Sequence, residues 1–242
     1  MGRCETVILN YNAGAFLGEA VASVLRSPAV ARVLVIDNAS TDGSLDQLPA
    51  GPDRIVIVRN ATNLGFAAGC NVGLERSTAD YIFLLNPDCY VEEGAIERLI
   101  DVLEKSPNTG ICGPLLLNPD GSEQAGGRRV IPTPWRALVR TLHLTPLRRF
   151  FPDTFADFAL HQDPLPDHPI EVEANSGACM MVRRAALAQV GLFDERYFMH
   201  CEDLDWCMRF REAGWKILFV PDARVVHHKG ISARSRHASV LS

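Results

Sequence analysis

Between His200 and Trp206 the sequence reads HCEDLDW: Glu202, Asp203 and Asp205 set three carboxylates within four residues, with Leu204 and Trp206 threaded among them. Like charges this close repel, so the cluster must meet something positive or proton-bearing. One reading is structural: at the start of a helix the acids sit in the positive end of the helix dipole. The other is catalytic: at the mouth of a cleft, one of them is a general base within hydrogen-bond reach of a hydroxyl proton, directly or through one water. Some twenty residues later, His227 and His228 end a strand-like run. Neighbours on a strand point to opposite faces, so at most one faces a site, where it can complete a metal's coordination.

Other polar residues gather where apolar runs stop. TVIL ends at Asn10-Tyr11-Asn12, VLVI at Asp37-Asn38, and YIFLL at Asn86-Pro87-Asp88. Open α/β sheets bind ligands outside the carboxyl ends of their strands. Each motif alone is an ordinary turn or cap signal. Together, with NLGFAAGCN at 63–71 nearby, they point to one polar site assembled from several loops. Gly65 and Gly69 fit neither a P-loop nor a GxGxxG spacing. Such a turn can still bring backbone N–H groups and a helix N-terminus toward a phosphate. Asp88 suits Mg2+ or Mn2+, hard ions that need few protein ligands when a diphosphate supplies others. Asp37 can accept a hydrogen bond from the imide N–H of a pyrimidine base. The set describes a nucleotide-diphosphate site.

The elements that must position these residues alternate along the first half. Continuous Val/Ile/Leu/Phe runs at 6–10, 32–38, 54–60 and 80–86 predict strands covered on both faces, hence a mainly parallel α/β sheet. Helices are expected at 16–27, 71–78 and 92–106. The stretch 126–155 mixes proline, arginine and large apolar residues. Trp135, Leu138, Val139 and Leu142 fall there at helical spacing, with Arg136 and Arg140 on another face and Arg148 and Arg149 just beyond. A basic amphipathic helix lies on an anionic membrane surface or packs on its own domain with a solvated basic side; both readings stand. The prolines of DPLPDHP, 163–169, mark a loop. A strand entering a helix is expected at 176–187, a helix at 202–214, and strands at 215–221 and 223–228. The tail from Lys229 to Ser242 is small and polar, and mobility is expected there.

Composition narrows the class. A chain of 242 residues with a net charge of −5 gives no sign of general nucleic-acid binding. No apolar run approaches the ~18 residues needed to span a bilayer, and MGRCETVILNYN turns polar too early for a secretory signal. A cytoplasmic protein is expected. The seven cysteines are scattered without a CxxC pair, unlike a disulfide scaffold or structural zinc site, and read as small core residues.

In order along the chain, NYN, VIDNASTDGS, NLGFAAGCN, LLNPD, SGACMMVRR, GLFDERYFMHCEDLDWCMR and HHKGIS resemble glycosyltransferase family two, most nearly its bacterial rhamnosyltransferase-like branch. The resemblance covers about Thr6 to Ser232. It implies a GT-A fold, a Rossmann-like three-layer α/β/α sandwich with a mostly parallel central sheet, as a single domain over 1–242. Within it, 1–120 would bind the nucleotide sugar, 121–172 would be a variable acceptor- or membrane-facing segment, 173–232 would hold the acceptor and catalytic part, and 233–242 a flexible tail.

The resemblance also implies an inverting, metal-dependent transfer of a sugar to a hydroxyl. NPD stands where the family has its DxD metal motif. Its first acid is Asn86 here, so Asp88 alone would anchor Mg2+ or Mn2+, with His227 rather than His228 as the added ligand. EDLD matches the ED motif, making Asp203 the catalytic base and Glu202 its neighbour. Asn10, Tyr11, Asn12, Asp37, Asn38, Asn63, Gly65, Phe66, Asn71, Asn86 and Asp88 are the implied nucleotide-sugar contacts. Ser176, Gly177, Ala178 and Glu202 are the implied acceptor contacts. The implied donor is dTDP-rhamnose, with UDP-galactofuranose, UDP-glucose and UDP-N-acetylglucosamine as alternatives. The acceptor would be a saccharide or a polyprenyl-diphosphate-linked saccharide in cell-surface polysaccharide assembly, met at the inner face of the membrane. A non-catalytic sugar-nucleotide-binding domain is the competing class, and the intact EDLD argues against it. VILNYNAGAF lacks the glycine-rich, basic loop that a nucleotidyltransferase would favour.

Overall fold

Strand β1, Cys4–Asn10, is buried along its whole length, as a strand covered on both faces must be. The computed structural model describes residues 4–50, 53–131, 133–142, 144, 149 and 160–228. The expectations for Arg148, for the side chains of Arg136 and Arg140, and for the tail from Lys229 lie outside the described residues. Around β1 the chain runs α1 (Phe16–Leu25), β2 (Val30–Asp37), β3 (Ile55–Arg59), α2 (Phe66–Arg76), β4 (Tyr81–Leu85), β5 (Cys89–Val91), α3 (Ala95–Lys105) and β6 (Thr109–Leu117). It continues through β7 (Arg128–Arg129), α4 (Pro134–Thr141), β8 (Ile170–Glu171), β9 (Ala174–Asn175), β10 (Cys179–Arg183), α5 (Arg184–Val190), α6 (Glu202–Glu212) and β11 (Lys216–His227).

The main sheet has the order β3-β2-β1-β4-β10-β6-β11-β5, with β8 also on β11. β3, β2, β1 and β4 are parallel, and so are β6 and β11; β10 runs antiparallel between β4 and β6. One face is covered by α1 and α3 through Leu17, Val21, Val24, Ile96, Leu99 and Leu103. The other is covered by α2, α5 and α6 through Cys70, Leu74, Leu187, Trp206 and Phe210. This is the three-layer α/β/α sandwich that the sequence led us to expect.

The departures have steric causes. α2 starts at Phe66 rather than 71. Gly69, which lay ahead of the expected helix, and Gly73, within it, are packing positions: a Cβ on Gly69 would lie 2.5 Å from Leu9 Cδ1, and one on Gly73 2.3 Å from Val7 Cγ1. Central strand β6 had no expected counterpart because TGICGPLLL carries two glycines and a proline, which weaken a strand signal. Both glycines make room: added Cβ atoms would lie 2.7 Å from Phe210 at Gly110 and 2.5 Å from the Asn175 side chain at Gly113. The two strands expected at 215–221 and 223–228 are the single strand β11. Its register against β6 jumps between Val220 and Arg224, opposite Pro114, which has no N–H to give. Of the seven cysteines, all unpaired, six are buried and Cys201 is exposed.

A test of the tight α2–β1 contact is Gly73→Ala. Helix propensity favours alanine by about 1 kcal/mol, yet Val7 is stiff and buried. Overpacking of ~1–3 kcal/mol should win, lowering the urea midpoint with an unchanged denaturant slope.

Candidate active site

β1 and β2 end side by side, with Asn10 in register with Asp37. Asn10 is fully buried, and its Nδ2 donates to Asp37 Oδ1 at 2.8 Å, with Ser44 Oγ at 2.8 Å and Ser40 Oγ at 3.0 Å also in range. Asn12 holds the same loop: its amide donates to Ser40 Oγ and its Oδ1 accepts from Thr41 N. Tyr11 is half-buried between them. Asn38 Nδ2 reaches Asn63 Oδ1 and Gly65 O, and its Oδ1 accepts from Asn60. Asn71 grips both backbone groups of Phe193 at 3.0 Å and reaches Glu195. Asn10, Asn38 and Asn71 thus tie loops together, a positioning task. The amides of Gly65 and Phe66, which the sequence offered to a phosphate, donate instead to Asn63 Oδ1 (2.9 Å) and Phe198 O (2.7 Å).

The Asn86-Pro87-Asp88 turn follows β4. Asn86 N donates to Ala178 O, and Asp88 O accepts from His228 N. Asp88 is only 4% exposed, and its Oδ1 lies 3.2 Å from His227 Nε2. The His228 ring packs instead against Phe16, with centroids 5.2 Å apart. Ligand atoms of Asp88, Cys89 and His227 lie within 4.8 Å of one another. Burial pushes the Cys89 thiol well up, and it donates to Ala178 O. With the sulfur turned to that carbonyl, Asp88 and His227 are left as an O,N donor pair. That pair fits a divalent cation: among the described residues Asp88 Oδ1 is buried without a hydrogen-bond donor, and it faces a ring nitrogen. An imidazole ligand suits Mn2+ better than Mg2+.

The acids of α6 each meet something different. Asp205 pairs with Arg209 one turn on, at 2.9 Å. Asp203 Oδ2 accepts from the Arg129 guanidinium and from Gly177 N at 2.9 Å, while Oδ1 accepts from Leu204 N at 2.8 Å. Glu202 Oε2 is buried and meets no donor among the described residues. Burial pushes its carboxyl up to about 7; its own backbone amide and Arg129 pull the other way, while the Asp203 charge adds to the rise. The threaded Trp206 belongs to the core, stacked on Phe193 at 4.0 Å between centroids, its Nε1 donating to Gly191 O.

Ser176-Gly177-Ala178 joins the two clusters, because Gly177 N holds Asp203 while Ala178 O holds Asn86. A side chain on Gly177 would lie 3.1 Å from Asp203 Cβ. Ser176 Oγ accepts from Ala178 N within the turn. Sequence reasoning missed Arg129 and Gln124, both in the segment assigned to the acceptor or membrane. Arg129 reaches Asp203 because β7 pairs with β9. Gln124 Oε1 lies 2.7 Å from His227 Nδ1. Neither position carries a motif, so no sequence signal marked them. On α4, Trp135 and Leu138 are exposed and Val139 is buried, and Leu142 just beyond the helix is exposed.

The Glycosyl transferase family 2 profile matches residues 6–191. An N-acetylglucosaminyl-diphospho-decaprenol L-rhamnosyltransferase of Mycobacterium tuberculosis is 33% identical over 248 residues, spanning 98% of this chain and 79% of its own length. The dTDP-rhamnosyl transferase RfbF of Shigella flexneri is 24% identical across 82% of this chain and 60% of its own. Among solved structures, GalNAc-T7 with UDP, GalNAc and Mn2+ superposes with a TM-score of 0.70 at 19% identity, over 94% of this chain and 44% of that one.

The Glu202 shift has a stability consequence. Between the ordinary carboxyl value of 4.5 and about 7, the folded state keeps a proton that the unfolded chain has released. Stability from this group therefore falls as pH rises through that window. Glu202→Gln should match the parent near pH 4 and become progressively more stable than it toward pH 7, by thermal melts. A difference independent of pH would contradict the burial.

Proposed function

We propose a reaction from one established premise: the chain belongs to glycosyl transferase family 2 and is a glycosyltransferase. The reaction is inverting transfer of L-rhamnose from dTDP-rhamnose to a hydroxyl of a saccharide, carried on a polyprenyl diphosphate, in cell-surface polysaccharide assembly. The observation that carries the reading is the Ser176-Gly177-Ala178 turn, which has the Asp203 carboxylate on one side and the Asp88 turn on the other. The M. tuberculosis relative, matched along nearly the whole chain, supports the choice of donor and acceptor.

The acceptor hydroxyl loses its proton to Asp203 as its oxygen bonds to the anomeric carbon. The bond from that carbon to the diphosphate oxygen breaks on the opposite face, and its electron pair leaves with the diphosphate. Arg129 and Gly177 N fix Asp203 through Oδ2. Oδ1, which among the described residues accepts only from Leu204 N, keeps a lone pair for the proton. Asp88 and His227 are the residues that would hold a divalent cation, which when bound supplies positive charge against the departing diphosphate. Asp37, braced by Asn10, is the group for the nucleotide base.

A specific observation favours a second assignment within the same reaction. Glu202, with an oxygen that meets no donor and a carboxyl raised to about 7, has the proton affinity of a good general base. The two assignments separate by mutation. With Asp203 as base, Asp203→Asn loses ~10²–10⁴-fold in kcat while dTDP-rhamnose affinity holds, and Glu202→Gln keeps most activity. With Glu202 as base, the losses exchange, and parent kcat/KM rises with pH through about 7. Loss of donor binding in step with turnover in both variants would remove the base role from the pair. A panel of dTDP and UDP sugars with Mn2+, read by nucleotide release, tests the donor; release from UDP-galactofuranose, UDP-glucose or UDP-N-acetylglucosamine alone would overturn rhamnose.

Among the described residues no helix is long and apolar enough to cross a membrane. Trp135, Leu138 and Leu142, exposed together on and just beyond α4, support peripheral contact with anionic lipid. Co-sedimentation with anionic liposomes should fall severalfold when all three become alanine; undiminished binding would move the contact elsewhere.

A further inference from the structure

We propose that Gln124 is a positioning residue that fixes the imidazole of His227 with its Nε2 lone pair turned toward Asp88. The role in cation binding rests on the reading of Asp88 and His227 as the cation's ligands.

Gln124 is 4% exposed. It sits just past β6, where its amide donates to Leu116 O at 2.8 Å. Its Nε2 lies 3.2 Å from His227 O and 3.0 Å from Asn118 Oδ1. A backbone carbonyl only accepts, so the carboxamide atom facing it is the nitrogen. Asn118 is oriented the same way, because its Nδ2 donates to Ser122 Oγ, whose hydroxyl is turned to Asp120. The carboxamide therefore has one orientation, and its oxygen faces His227 Nδ1 at 2.7 Å. That oxygen also only accepts, so Nδ1 carries the hydrogen.

Whenever the ring is neutral, a hydrogen held on Nδ1 leaves the lone pair on Nε2. That lone pair lies 3.2 Å from Asp88 Oδ1, an oxygen with no hydrogen-bond donor. Two electron-rich atoms at this separation repel unless positive charge lies between them. The geometry is that of a ligand pair arranged in advance, with Gln124 as its outer support. Such outer partners are worth ~10–100-fold in metal affinity. The orientation originates in the turn from Asn118 to Gln124, outside both the turn that carries Asp88 and the strand that carries His227.

The test uses the full chain and Mn2+ alone. In the metal-free parent, 15N-resolved imidazole NMR should show His227 with its hydrogen on Nδ1. Gln124→Leu should give mixed tautomers and weaken Mn2+ binding ~10–100-fold by electron paramagnetic resonance titration. Gln124→Glu, which keeps an acceptor facing Nδ1 and, with its second oxygen protonated, a donor facing His227 O, should bind Mn2+ within a few-fold of the parent. A parent His227 with its hydrogen on Nε2 would overturn the proposal, as would unchanged Mn2+ affinity in a folded Gln124→Leu variant. If Gln124→Leu fails to fold, the parent tautomer and the Gln124→Glu affinity decide. Asp88→Ala and His227→Ala separate the underlying reading: if both bind Mn2+ as the parent does, the ligand assignment fails, whereas the tautomer still judges Gln124.

Discussion

Four acids are buried at the carboxyl edge of the sheet: Asp37 at 3% exposure, Asp88 at 4%, Glu202 at 6% and Asp203 at 9%. Taking a carboxylate out of water costs several kcal/mol unless donors or opposite charge meet it. The surrounding structure answers that constraint differently at each acid. Asp37 receives the Asn10 amide, Asp203 a guanidinium and two backbone N–H groups, and Asp88 the neighbourhood of His227. Glu202 receives its own backbone amide and little else, so its carboxyl holds a proton far above the ordinary range. Such differences would let neighbouring acids take different tasks, since identical surroundings would give every acid the same one.

The loops that carry these acids are held by side-chain amides rather than by regular pairing. Asn10, Asn38 and Asn71 each bridge two segments, so the edge of the sheet is cross-linked before any ligand arrives. Preorganisation of this kind lowers the ordering cost of binding. It also explains why the 193–201 loop adopts left-handed backbone at His200 and Cys201. Fixed by Asn71 at one end and by packing of Trp206 on Phe193 at the other, the chain turns sharply to start α6 with Glu202 and Asp203 pointing inward.

The segment after β6 does two things that its composition conceals. Its first part returns to the site, delivering Gln124 to His227 and Arg129 to Asp203. Its later part carries α4, with Trp135 and Leu138 exposed and Val139 buried.

The alternation of apolar runs and amphipathic stretches determined the α/β class, because strands covered on both faces need continuous apolar residues and helices need a stripe. The ends of those runs marked Asn10, Asp37 and Asp88 for the same reason: polar residues stop a buried strand, and parallel neighbours stop at one edge. β6 stayed hidden, since its glycines and proline are demanded by Phe210, Asn175 and a register break in β11, none of them local in sequence. The division of labour among Glu202, Asp203 and Asp205 was hidden too. It depends on Arg129, Gly177 and Arg209, and two of these arrive from distant parts of the chain. Local pattern decides what a segment can be, because periodicity is a property of neighbours. Which partner a buried charge meets is a long-range contact, and only the tertiary structure decides it.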